Sequence, residues 1–238
     1  MFLSFIDHLT HSINTFDQVS NVTLYHEVIT AQCEYYFPNI QTLELLVTEQ
    51  NDSSVLHAME MKHLKMIVNL SNLSHLNISE YGRMLTSTLL LDILKQASNL
   101  SWITIHPNDL VVLFNDHQLC TYLNKMIRKL DVLQYGQSSF KNEEDMKKFC
   151  DIFSNMEQLV CCINEPNDIL VLLDRSVRLS TVNIYLPPII DRDYLFALLQ
   201  EQSRRLNCVF RVEGMETKAP KLFMWIGRNV CDDCSLVC

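Results

Sequence analysis

Apolar residues recur along this chain in one shape: a first position, a second three residues on, and a third two residues after that. Leu73, Leu76 and Ile78 have it, and Leu100, Ile103 and Ile105 repeat it 27 residues later. The same shape recurs at Val19, Val22 and Leu24, at Ile40, Leu43 and Leu45, and at Ile127, Leu130 and Val132. It returns at Met156, Leu159 and Cys161 and at Leu179, Val182 and Ile184. The last two members of each triplet are two apart, the spacing at which strand side chains return to one face. An eighth register point, Leu206 and Val209, fails at Arg211, where the strand phase slips to Cys208, Phe210 and Val212. First positions average about 27 residues apart, inside the ~20–29 residue range of leucine-rich solenoid repeats.

The segments between triplets carry helical spacing. Arg83 to Ala97 buries Leu85, Leu89, Leu90 and Ile93 on one stripe, and Ser53 to Met61 reads as a shorter helix followed by a looser apolar stretch, Leu64 to Leu70. Pro107-Asn108-Asp109 opens a helix before Leu110 to Phe114, because Pro suits a first turn and Asn or Asp caps free amides. The phrase returns as Pro166-Asn167-Asp168 before Ile169 to Leu173. Glu143-Glu144-Asp145 leads a helix through Met146, Phe149, Ile152 and Phe153, its acids favoured by the positive end of the helix dipole. Asp191-Arg192-Asp193 leads another through Leu195, Leu198 and Leu199. Leu222 to Ile226 alternates as a strand that closes the open end of the sheet, since a terminal repeat has no neighbour to cover it.

Together these predict an α/β fold, a leucine-rich-repeat solenoid of right-handed strand–helix repeats with a curved parallel sheet inside and helices outside. Residues 1–18 form an N-terminal cap with a helix through Leu3, Ile6, Leu9 and Ile13. Residues 19–228 form the solenoid, and residues 229–238 a flexible, cysteine-containing tail. Side chains alternating with the triplets project onto the concave strand face. That face carries Glu44, His75, Asn77, Ser79, Trp102, Thr104, His106, Lys129, Asp131, Gln158, Asn183 and Tyr185, with Trp102 and Tyr185 as aromatic anchors for a protein ligand.

Charge narrows the partner. Asp and Glu number 28 against 19 Lys and Arg, a net charge of −9, and the only basic runs are pairs such as Lys147-Lys148 and Arg204-Arg205. A phosphate backbone is repelled by such a chain, so nucleic acid is not an expected partner. No apolar run approaches the ~20 residues that span a bilayer, and no basic leader precedes Phe2 to Ile6, so neither membrane nor secretion is expected. Nine scattered cysteines read as reduced thiols. The expected compartment is the cytoplasm or nucleus, where the six Asn-x-Ser/Thr sites at Asn21, Asn51, Asn69, Asn72, Asn77 and Asn99 are turn and strand residues.

Candidate chemistry is sparse. Cys231, Cys234 and Cys238 have a spacing that can share zinc, but a structural site needs a fourth ligand and none lies nearby. They define the competing function class, a thiol- or zinc-dependent enzyme or metal-binding protein. Cys161 and Cys162 are adjacent on a strand, which places Cys161 in the core and Cys162 on the surface. His8 and His11 lack the Glu of a zincin motif, and the four glycines are isolated, so no phosphate cradle forms. No catalytic residue, metal or cofactor is expected.

The triplets with long helical returns resemble the irregular leucine-rich repeats of the F-box/leucine-rich-repeat proteins over roughly residues 19 to 228. The resemblance implies a non-catalytic substrate-recognition module of an SCF-type ubiquitin ligase, with ligase components as further partners. Two features depart from it. The Asn or Cys expected eight positions after the first leucine is present at Asn108 and Asn164, while Tyr81, Tyr135, Pro187 and Gly214 stand there elsewhere. An F-box of forty-odd residues, opening with Leu-Pro, is not expected in this chain, because only 18 residues precede the first triplet.

Overall fold

A computed structural model describes residues 14–30, 34–46, 58–80, 86–132, 138–187, 190–214 and 220–227. The expected helix through Leu3 to Ile13 and the tail at 229–238 lie outside these residues. The chain divides into two compact units, Met1–Ile127 and Arg128–Cys238, both α/β, the first with parallel strands and the second with a mixed set.

The first unit runs β1 (Asn14–Thr15), β2 (Asn21–Tyr25), α1 (His26–Thr30), β3 (Tyr35–Tyr36), β4 (Thr42–Leu46) and α2 (Ala58–Ile67). A 3-10 turn at Leu70–Asn72 leads to β5 (His75–Asn77), α3 (Ser87–Gln96), β6 (Trp102–Thr104), α4 (Pro107–Leu113) and α5 (His117–Met126). Strands β2, β4, β5 and β6 are parallel neighbours in that order. Their register is set by the triplets: Val22, Leu43, Leu76 and Ile103 lie opposite one another in one buried row, with Leu24 beside Leu45 in the next. A one-residue slip of any strand would turn its leucines outward, so burial fixes the pairing. The helices pack side by side as α1, α2, α3 and α5.

Turns are held by a ladder that repeats with the strands. Asn39, Asn72 and Asn99 each immediately precede a buried first position, and each amide donates to a backbone carbonyl of the turn before it. The acceptors are Asp17 at 3.0 Å, Pro38 at 3.2 Å and Ser71 at 2.8 Å. Asn108 and Asn164, at the positions expected to carry a family asparagine, are exposed.

Helix boundaries follow local chemistry. Thr86 caps α3 through Leu89 N–H at 3.1 Å, and Asp116 caps α5 through Leu119 N–H at 3.0 Å. That second cap separates α4 from α5, a helix the apolar pattern does not announce. Helix α2 continues past the end of the expected Ser53 to Met61 segment, whose residues 53–57 lie outside the described residues, to Ile67, because Met61, Leu64 and Ile67 extend one buried stripe. Asp116 titrates below the ordinary carboxylate range because the Leu119 amide favours its anion.

The second unit runs β7 (Lys129–Asp131), α6 (Glu143–Ile152), β8 (Gln158–Cys162), α7 (Pro166–Arg175), β9 (Thr181–Tyr185), α8 (Arg192–Leu206), β10 (Cys208–Glu213) and β11 (Lys221–Ile226). Its strand order is β7-β8-β9-β11-β10. The first three are parallel, and β11 lies antiparallel between β9 and β10. Leu130, Leu159, Val182 and Met224 form one buried row, and Cys161, Ile184 and Leu222 the next. The phase slip after Leu206 is present: Cys208 is buried, and Phe210 and Val212 stand opposite Met224 and Leu222. Asn207, in the left-handed region at φ 48°, ends α8 and turns the chain into β10.

Two expectations are overturned here. Leu222 to Ile226, expected to close the open end of the sheet, lies inside it as β11 between β9 and β10, and β10 holds the edge. Cys162, expected on the surface by alternation, is only 5% exposed. Ser139 lies over the end of β8: its Oγ accepts from Cys162 N–H at 2.8 Å and donates to the Val132 carbonyl at 2.6 Å, while its own N–H donates to the Cys162 carbonyl. Strand alternation could not report this covering segment.

Leu76→Ala should cost about 2–5 kcal/mol by urea denaturation, whereas Val112→Ala, on an α4 side chain 70% exposed, should change stability by less than ~0.5 kcal/mol. Ser139→Ala leaves the buried Val132 carbonyl and Cys162 amide without this bridge. It should cost about 1–3 kcal/mol and speed native-state thiol labelling at Cys162, read by mass spectrometry.

Candidate functional site

In both units the triplets occupy one face of the strands, and the other face carries half-buried or exposed side chains apart from the covered Cys162. Residues directly opposite across paired strands project to the same side. In the first unit one outward row runs Thr23, Glu44, Asn77, Thr104 and the other Asn21, Thr42, His75, Trp102. Five of the expected binding residues, Glu44, His75, Asn77, Trp102 and Thr104, are thus brought together. They form an ordered network. Glu44 Oε2 accepts from Thr23 Oγ1 at 2.9 Å and Oε1 from Asn77 Nδ2 at 2.7 Å, so the carboxylate is gripped by strands on both sides. Asn77 Oδ1 in turn accepts from the Ser79 amide at 3.1 Å and its hydroxyl at 2.8 Å, which fixes the amide orientation. The His75 ring stacks on Trp102 with centroids 3.9 Å apart and planes 12° from parallel, and its Nε2 lies 3.0 Å from Thr104 Oγ1.

Trp102 retains 40% exposure despite that stack, which suits an anchor presenting a large rigid surface. His106 is placed differently. It stands just past β6 and caps α4, its Nδ1 accepting from Asn108 N–H at 3.2 Å, the task the sequence assigned to Asn108 and Asp109.

In the second unit the outward rows are Lys129, Gln158, Thr181, Trp225, Val209, then Asp131, Val160, Asn183, Phe223, Arg211, then Cys162, Tyr185, Lys221, Glu213. Lys129, Asp131, Gln158, Asn183 and Tyr185 lie on this face as expected. Sequence reasoning missed its largest aromatic group. Phe223 and Trp225 stack at 6.5 Å on β11, Trp225 is 41% exposed, and the Lys221 ammonium sits 4.7 Å from the Tyr185 ring centroid. The signal was available: in Leu222-Phe223-Met224-Trp225 the aromatic members alternate with the buried ones, Leu222 and Met224.

Burial lowers the pKa of His75 against an opposing pull from Glu44. The ring is therefore neutral at neutral pH, one nitrogen donating and the other accepting. Four buried thiols shift the other way. Burial pushes Cys150, Cys161, Cys162 and Cys208 up, Cys161 most strongly, and a thiol held protonated is a poor nucleophile. Among the described residues no group of three or more His, Cys, Asp or Glu could hold a metal ion, and no helix is long and apolar enough to cross a membrane. Cys231, Cys234 and Cys238 lie outside the described residues.

Because folding lowers the His75 pKa, the unfolded chain takes up that proton first as pH falls. Stability is then lost progressively below the ordinary histidine value of about 6.5. His75→Phe should lose less stability than the unsubstituted protein between about pH 7.5 and 5, measured by urea midpoints across that range. No protein-family model matches the chain, and no curated protein matches it.

Proposed function

We propose that this chain is a non-catalytic protein-binding module built from leucine-rich-repeat-type strand–helix units, with the open strand face as its docking surface. The observation that carries this reading is the ordering of that face. In the first unit, a half-exposed tryptophan is braced by a stacked histidine and flanked by a carboxylate whose oxygens are both already held. Braced aromatic and polar groups bind with little ordering cost, the property that distinguishes an interface anchor from an ordinary surface side chain. The regular spacing of triplets, asparagine turns and parallel strands supports the repeat reading.

The resemblance to F-box/leucine-rich-repeat proteins supports taking the partner as a protein delivered for ubiquitination. Co-purification with a cullin adaptor from cells expressing the chain tests that step separately from docking; its absence leaves a plain binding scaffold. For the docking face itself, Trp102→Ala should weaken partner binding about tenfold or more while shifting Tm by no more than a few degrees. Val112→Lys, on the helical side, should leave binding unchanged. Calorimetric titration and thermal melting of both variants read the two quantities, and unfolding of Trp102→Ala would assign the ring to stability.

A further inference from the structure

We infer that the open face of the first unit recognises an arginine side chain of an extended partner segment, with Glu44 as its receptor; this rests on the docking reading above. Glu44 is half-buried on β4, and among the described residues no lysine or arginine pairs with it. Its two hydrogen bonds come from neutral donors, Thr23 Oγ1 and Asn77 Nδ2, so they orient the carboxylate without cancelling its charge. Each oxygen accepts one bond there and retains capacity for a second, the condition for a two-pronged guanidinium contact. His75 feels the Glu44 charge, but burial lowers its pKa, so it does not supply the missing cation at neutral pH. A half-buried anion left with neutral hydrogen-bond donors is complementary to an incoming cation that brings its own donors.

Geometry adds the partner's spacing. Trp102 stands two strands from Glu44, across β5, about 10 Å away in the pairing direction. With the one-row offset between the Glu44 and Trp102 rows added, an extended segment covers the gap in about four residues, and residues an even number apart project to the same side. The recognised segment therefore carries arginine for Glu44 and an apolar or aromatic side chain about four residues away, on the same side, for Trp102. Arginine suits this site better than lysine because its planar fork matches a carboxylate whose two oxygens are already oriented.

The test pans a phage-displayed random-peptide library on the full chain, with Trp102→Ala as counter-selection. Selected peptides are synthesised with each arginine as arginine or citrulline, which keeps shape but removes charge. Calorimetry should show that citrulline costs about tenfold or more in affinity on the unsubstituted protein and less than about twofold on Glu44→Gln. Thermal melting checks that Glu44→Gln is folded. If it is not, Glu44→Asp, which keeps the charge but withdraws it from Thr23 and Asn77, carries the comparison with an intermediate loss. Peptides that depend on Trp102 but lack arginine, or lose the same affinity on both proteins, overturn the arginine site and leave docking intact. A selection yielding no peptide that distinguishes Trp102→Ala overturns docking and this inference with it.

Discussion

Register between parallel strands is the constraint on which the remaining structure depends. Leu43 must lie between Val22 and Leu76, and Leu76 between Leu43 and Ile103, for the apolar rows to be shut away from water. Backbone pairing alone is weakly selective in strands of three residues such as β5, β6 and β7. Burial of each row supplies the selectivity, because slipping by one residue would expose a leucine and bury a polar neighbour in a single step. The asparagine turns reinforce the choice from outside the sheet. Asn72 can reach the Pro38 carbonyl, and Asn99 that of Ser71, only when successive turns stand in step.

That constraint also orders the open face. With the strands fixed, every outward side chain acquires a defined neighbour two positions along its own strand and one on each flanking strand. Glu44 meets Thr23 and Asn77 for this reason, and His75 meets Trp102. The face inherits rigidity from the core beneath it, although its own side chains bury little apolar area. A surface built this way is adjusted by substitution at outward positions without disturbing inward ones.

Legibility from sequence divided along the same line. The inward rows were readable because Leu76 and Ile78, or Leu159 and Cys161, announce themselves by apolar character at a fixed interval, and all four are buried. The outward positions of Glu44 and Trp102 followed by alternation. What alternation could not supply were contacts made by residues distant in the chain. Cys162 is buried because Ser139 closes over it, and nothing within β8 signals that segment. His106 caps α4 with a ring nitrogen, a role usually taken by Ser, Thr, Asp or Asn, so the Asn and Asp beside it drew the assignment. Phe223 and Trp225 were hidden by context: a strand expected to close the sheet was read for the edge it covers and not for the side chains it presents.

The position of β11 carries one further consequence. It is the last described strand in the chain, yet it lies inside the sheet, between β9 and β10 and antiparallel to both. During synthesis β10 emerges first and has no strand to rest on, while β9 holds Val182 and Ile184 beside the vacant places of Met224 and Leu222. Completion of this region must therefore wait for the ribosome to release residues 221–226. Until then the nascent chain carries two unsatisfied strand edges, the state in which a chaperone has most to protect.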